Sequence, residues 1–339
     1  MKKGKLSAKT KKLIIKIIAV VLVALIGTAA ALVVKDRKTD FNSAQKYSVA
    51  MNTVITQKIY ADVPGVHIEP VRAIINSLDG YISCKDSESV LSRLNSEGTL
   101  NDILIAEALK TCLEVSEKSG GAFDVSMGKL SESWAIGTEN ARVPSDEEIS
   151  ELLSQCGYEK ITLDGSKITV AEGVSVDLGA VGKGIACDYI MTYLKSKTDI
   201  KGAVVSVGGS ILTYGQHNKA GDEWNVGIRH PRNENEYLGI IHMTEGFVST
   251  SGDYERYFEQ DGVRYHHILD GNTGRPSDSG LISVTVVCDS GILSDALSTA
   301  CLVLGAEKAE ALLNEYGVAG VLVDKDMNIT VVGDIDFEY

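Results

Sequence analysis

The 339-residue sequence predicts an α+β fold, and three features lead there. Asp102 to Ser116 is strongly amphipathic, with Ile105, Ala108, Leu109, Cys112 and Leu113 at helical spacing. Short alternating runs separated by glycine turns follow later: GAVVSVGG, WNVGI, GIIHM, YHHILD and LISVTVV. Helices and strands mix without a regular βαβ rhythm, which argues against a doubly wound parallel sheet.

Residues 1–12 hold six lysines and no acid. Leu13 to Val34 is then apolar except for Lys16. As a helix it would span about 33 Å, enough for a bilayer core, with Lys16 snorkelling near one end. The lysine-rich start should stay cytoplasmic, which predicts a single-pass cell-membrane protein with an extracytoplasmic domain. A signal peptide cut near Thr28-Ala29-Ala30-Ala31 is the rival reading. The first cysteine is Cys84, so no lipid-attachment cysteine follows the apolar run. Residues 1–38 carry a net charge of +9 in a chain of −13, which leaves −22 for the rest. A unit that acidic is a poor nucleic-acid binder, and it needs local cationic help to hold a phosphate.

Residues 35–47 are polar and read as a linker to a single domain, 48–339. Asn52 to Ala61 alternates as a strand, while Ile68 to Leu78 and Glu88 to Leu94 read as helices. Gly120-Gly121 stops the amphipathic helix. Ser145 to Glu148 is a capping box whose helix ends by Gly157. Ile161 to Val170 folds back at Asp164-Gly165. VSVDLGAVGKGIACDYIMTYL reads as strand, glycine turn, helix. Asp295 to Leu304 and Glu307 to Tyr316 are helical, and a last hairpin runs from Val318 to Val332. Asp324-Lys-Asp326-Met-Asn328 imitates the start of a calcium loop, but Ile329 replaces its glycine, so it is a turn. Six irregularly spaced cysteines form neither a disulfide framework nor a zinc pattern.

Several segments could carry chemistry. Asp177-Leu-Gly-Ala-Val-Gly-Lys-Gly184 lets backbone approach an anion at a helix start, with Lys183 adding charge. It lacks Walker spacing, and a plain packing turn stays open. Asp295 and Thr299, four apart, offer a carboxylate and a hydroxyl to a hard cation, or form an ordinary helix start. In the strand around His266 and His267 the two rings take opposite faces, so at most one enters a site, as a general base near neutral pH. Gly120-Gly-Ala-Phe-Asp124 and Thr250-Ser-Gly-Asp-Tyr-Glu-Arg256 are further candidates, each also explicable as structure.

Together these segments resemble the ApbE family, the FAD:protein FMN transferases. Eight elements stand in family order from about Met51 to Val332: Met51-Asn-Thr, SESVLSRLN, SGGAFDVSMGKL, VDLGAVGKG, the VGG turn at Val207, STSGDYERY, YHHILDGNTGRP and SDALSTA. The resemblance implies that FAD is split, AMP leaves, and FMN is joined through its phosphate to a Thr or Ser hydroxyl of a target protein. It implies Mg²⁺ held by Asp295, Thr299 and the Ala180 carbonyl. It implies FAD contacts at Met51, Ala122, Phe123, Asp124, Asp177, Lys183 and Ile268, with His267 helping to deprotonate the acceptor. The implied partner is a membrane or secreted electron-transfer flavoprotein. Hydrolysis of FAD to FMN and AMP on the same site, or flavin binding without catalysis, are the alternatives. Three positions depart from the family pattern: Lys85 replaces a tyrosine, Ala135-Ile136 a Gly-Phe, and Asp270-Gly271 an Asp-Pro.

Overall fold

Alternating apolar residues build one large antiparallel sheet, in a computed structural model that describes residues 41–339. The basic tail, the apolar segment and residues 35–40 lie outside the described residues. Among the described residues no helix is long and apolar enough to cross a membrane. The chain forms β1 (Ser43–Ala50), β2 (Thr53–Ala61), α1 (Gly65–Tyr81), α2 (Val90–Glu97), β3 (Thr99–Asn101), α3 (Ile103–Lys118), α4 (Gly128–Trp134) and α5 (Asp146–Gln155). It continues with β4 (Ile161–Asp164), β5 (Lys167–Val170), α6 (Gly182–Lys195), β6 (Ile200–Val207), β7 (Ser210–Gly215), β8 (Trp224–Arg229), β9 (Tyr237–Met243) and β10 (Gly246–Gly252). Last come β11 (Tyr257–Gln260), β12 (Val263–His266), β13 (Leu281–Cys288), α7 (Gly291–Leu304), α8 (Ala306–Tyr316), β14 (Ala319–Asp324), β15 (Ile329–Val332) and β16 (Asp336–Glu338).

The main sheet runs β1-β2-β6-β7-β10-β13-β14-β15, and the predicted mixed α+β class is the one observed. The period of two sorts each strand onto two faces. Ile55, Ile59, Ala203 and Val205 pack under α1 and α6. Val284 and Val286 pack under α7 and α8. The opposite face presents Tyr60, Val204 and Ile211 to the small sheet β16-β9-β8, through Trp224, Val226 and Ile241. The result is a layer of helices, the large sheet, and a second sheet. A satellite core of Leu130, Trp134, Ile149 and Leu269 joins α4 and α5 to the turn after His267.

Four expectations change. Ser43 to Tyr47 are not linker: they pair with β2 as the first half of β1. The predicted strand before the glycine turn does not form. Only Ser175 bridges to Met127, and the Asn95 side chain stands in for a neighbouring strand by bonding both Val176 N–H (2.7 Å) and C=O (2.8 Å). The YHHILD strand ends at His266, one residue before the histidine of interest. Only half of the capping box is made: Ser145 accepts from Glu148 N–H, while the Glu148 carboxylate turns to Ser133 and Arg142. The imitation calcium loop is an Asp324-centred turn between β14 and β15, as expected.

The helices α6 and α7 cross with their backbones touching. A Cβ on Gly184 would stand 2.2 Å from the Gly291 carbonyl oxygen, and one on Gly291 would stand 2.4 Å from that of Gly184. Elsewhere the backbone carries visible strain: α4 closes at Ala135 with φ 50, a left-handed conformation that disfavours a Cβ. Gly184→Ala should therefore lower unfolding free energy by about 2–3 kcal/mol, whereas Ala135→Gly should raise it by about 0.5–1 kcal/mol. Urea unfolding of both variants against the parent checks the two opposite signs.

Candidate active site

The crossing of α6 and α7 is held by reciprocal capping. Free N–H groups at a helix start need acceptors, and a carboxylate there also meets the positive end of the helix dipole. Asp295 of α7 accepts the Gly184 N–H of α6 at 2.6 Å through Oδ2. Asp188 of α6 accepts the Gly291 and Ile292 N–H groups of α7 at 2.7 and 2.9 Å. Burial pushes the Asp188 carboxyl above its usual range, and those backbone donors offset part of the rise. The second oxygen of Asp295 accepts from Ser210 Oγ at 2.6 Å, so this 3%-exposed side chain is fully oriented.

One turn along α7, Thr299 lies 3.2 Å from Ser251 Oγ, which also meets Ser298 at 2.9 Å. Ser249 and Ser294 make a further hydroxyl pair at 2.7 Å. A polar seam therefore runs between β10 and α7. Ala180 is exposed, two residues ahead of α6. Among the described residues no cluster of three or more His, Cys, Asp or Glu could hold a metal. The predicted donor set is of another kind: one carboxylate, one hydroxyl and one backbone carbonyl, all hard oxygens suited to Mg²⁺. It fits the structure, because each Asp295 oxygen uses one hydrogen bond and keeps acceptor capacity.

The glycine turn gathers the other predicted residues. A Cβ on Gly182 would meet Ile82 Cδ1 at 2.9 Å and Met51 Cε at 3.5 Å, so Met51 lies against the start of α6. Met51 and Asn52 form the two-residue β1–β2 turn with φ 50 and 54, and Asp79 accepts the Met51 N–H at 2.9 Å. Two successive left-handed residues are what a type I′ hairpin demands, at a cost for a methionine. Asp177 donates its N–H to the Val125 carbonyl at 2.8 Å, which ties it to the Ala122–Phe123–Asp124 turn. Its Oδ1 accepts from Gly179 at 2.8 Å and faces Cys84 Sγ at 3.8 Å. Burial, then Asp177, pushes the Cys84 thiol up to about 11. Asp124 accepts the N–H groups of Ser126 and Tyr158 at 2.7 and 2.9 Å, while burial raises its pKa. A cleft of about 230 Å³ opens beside it, lined by Gly121, Gly157 and Tyr158.

The two adjacent histidines divide their work. His266 is buried, donates through Nε2 to the Ser277 carbonyl at 2.9 Å, and accepts the Ile268 N–H at Nδ1 at 3.3 Å. That clamp bends the chain out of β12. His267 follows, with its backbone N–H 3.0 Å and its Nδ1 3.3 Å from the Arg256 carbonyl. A proton on Nδ1 leaves Nε2 as the basic nitrogen. Burial, then Arg256 and Lys183, holds the ring neutral, with its pKa pushed down to about 3. The same coupling places Lys183 within electrostatic reach of His267. Ile268 is different: it is buried in the core with both backbone groups bonded, so a ligand meets little of it.

The profile of the ApbE family matches residues 51–322, a span that contains every residue of the site described above. The chain belongs to the ApbE family. It is 33% identical over 306 residues to the FAD:protein FMN transferase of Treponema pallidum, covering 83% of this chain and 84% of that protein. It is 30% identical over 285 residues to the FAD:protein FMN transferase of Escherichia coli K12, covering 78% and 81%. Among solved structures, the ApbE protein of Thermotoga maritima superposes with a TM-score of 0.80 at 31% identity, over 86% of this chain and 97% of that one. The flavin transferase ApbE from Vibrio cholerae gives 0.76 at 26% identity, over 86% and 97%.

Two departures from the ApbE pattern gain a physical account. Ala135 keeps the left-handed backbone that the family's glycine would favour. Gly271 donates its N–H to the Ala122 carbonyl at 3.3 Å, a bond that proline could not make, and a Cβ there would sit 2.1 Å from the Gly121 carbonyl. Lys85 is exposed at the rim, next to Cys84. Motif reading missed Asp188, Ser210 and the clamp of His266, and it singled out the Thr250–Arg256 segment without giving Ser251 or Arg256 a role. The VGG turn just before Ser210 was the local signal for that residue.

Removing a cation beside His267 favours its protonated form. Arg256→Gln should therefore raise the His267 pKa, read by NMR titration of the ring, and an unchanged value would refute the coupling. The lowered pKa has a signed consequence for the fold: this histidine costs nothing above its unfolded value of about 6.5. Stability falls as pH drops from there towards about 3.

Proposed function

We propose that this protein is a Mg²⁺-dependent FAD:protein FMN transferase whose catalytic domain is held outside the cell membrane by its N-terminal apolar segment. The observation that carries this reading is the bond from Gly184 N–H to Asp295, between residues 111 apart in sequence. It turns a glycine-rich anion turn and an oxygen-donor helix into one site. The family relatives named FAD:protein FMN transferase support the substrate and the reaction.

The FAD diphosphate approaches the α6 N-terminus, where free N–H groups and Lys183 counter its charge. Asp295, Thr299 and the Ala180 carbonyl would hold Mg²⁺, which neutralises charge on the phosphoryl oxygens. His267 Nε2 takes the proton of the acceptor Thr or Ser hydroxyl. That oxygen forms a bond to the FMN phosphorus, the bridging P–O bond breaks, and AMP leaves with the bridging oxygen and the electron pair. A base with a pKa near 3 is a weak one. The bound diphosphate offsets Lys183 and Arg256, which raises the imidazole pKa when substrate is present, while burial still holds it below its usual value. Met51, Ala122, Phe123, Asp124 and Asp177 shape the flavin nucleotide's cradle, with Ile268 behind it. The acceptor is a membrane or secreted electron-transfer flavoprotein.

The test is covalent flavin. The protein incubated with FAD, Mg²⁺ and an acceptor flavoprotein should yield a fluorescent flavin band that survives denaturation, with AMP released in equal amount. Asp295→Asn keeps the volume and should lower that rate by about 100-fold or more. AMP release with no acceptor and no labelled protein would indicate hydrolysis instead. A parent-like rate in Asp295→Asn would sink the metal assignment.

A further inference from the structure

We propose that the corner between β2 and α1, Asp62 to Val66, rests on the lipid surface, so that the catalytic site is held at the far end of the β1–β2 hairpin. The inference rests on the anchored reading above and adds an orientation to it.

The first described residues lead straight to this corner. Ala61 N–H bonds the Asn42 carbonyl at 3.1 Å, and Asn42 Nδ2 bonds the Asp62 carbonyl at 3.3 Å. Six residues, 35–40, separate the apolar run from Phe41. Fully extended they span at most about 20 Å, so the anchor keeps this corner close to the bilayer. The corner suits that position. Val63, on the connection, and Val66, in the first turn of α1, are 58% and 60% exposed among the described residues. The unit as a whole is strongly acidic, yet here the charges balance: Lys201 lies 3.7 Å from Asp62, and Lys197 sits over the Tyr193 ring, whose hydroxyl shares His67 with Asp199. A leaflet with anionic headgroups would repel most of the domain and tolerate this part.

The corner is also rigid. His67 is buried and links Tyr193 Oη at 2.8 Å to Asp199 at 2.8 Å, which pins α1 to the end of α6. From there β1 runs eight residues to the Met51-Asn52 turn, which lies against Gly182 at the site. That strand is about 26 Å long at 3.3 Å per residue. The acceptor hydroxyl would thus be modified well above the headgroups.

The test uses the full chain in lipid nanodiscs. Trp134 and Trp224 are 1% and 2% exposed, so an added surface tryptophan reports its own surroundings. Val66→Trp probes the corner, and Val263→Trp, at the half-exposed first residue of β12, the strand that ends at His266, probes the site end. With acyl-brominated lipids the extra emission of Val66→Trp should fall by about half, as expected of a side chain at the headgroup–acyl boundary, while Val263→Trp stays unquenched. Equal quenching of the two, or quenching only of Val263→Trp, overturns the orientation. Loss of the chain from the discs overturns the anchor itself, a result distinguishable because transfer of FMN by the released protein would continue.

Discussion

The structure depends most on the contact between the first turns of α6 and α7. Two glycines, Gly184 and Gly291, let the backbones touch, and two aspartates, Asp295 buried and Asp188 half-buried, each cap the other helix. Neither helix start could be buried without this exchange, because its free N–H groups would lack acceptors. The same exchange aims Asp295 at the glycine turn. Stability and site geometry thus come from one set of bonds.

Around that contact the polar groups are arranged in depth. The hydroxyl seam of Ser249, Ser251, Ser294 and Ser298 lets α7 sit on β10 with its polar face inward, where an apolar helix would have been the simpler packing. Each hydroxyl satisfies a neighbour, so the cost of burial is met locally. His266 follows the same logic: a neutral buried imidazole spends both nitrogens on backbone groups and thereby shapes the exit from β12. His267 is half-buried next to Arg256 and Lys183, two cations that an anionic ligand would neutralise. Charge that is unfavourable in the free protein becomes complementary once a diphosphate is bound.

Much of the fold was legible in the sequence because local patterns agree with it. The helix at Ile103–Lys118, the hairpin at Asp164-Gly165 and the strands β6, β8, β13 and β14 all follow from periodicity and turn chemistry. The exceptions share a cause. Ser43 to Tyr47 are polar because β1 is an edge strand with one face in solvent, so composition alone resembled a linker. Val174 to Leu178 has strand composition, but its backbone partner is the Asn95 side chain rather than a strand.

The sequence by itself determined the class of fold, the order of the motifs and the residue types that suit a phosphate and a hard cation. It also carried the resemblance to the ApbE family, since ordered motifs survive without knowledge of their distances. Tertiary structure decided which of those motifs meet. The bond from Gly184 to Asp295, the cap from Asp188 and the Ser210 hydroxyl link positions 85 to 111 residues apart, and no local pattern encodes such pairings. The division between His266 as clamp and His267 as the half-buried ring that keeps Nε2 basic likewise needed the Ser277 and Arg256 carbonyls in place. A backbone carbonyl has no sequence signature, because every residue carries one.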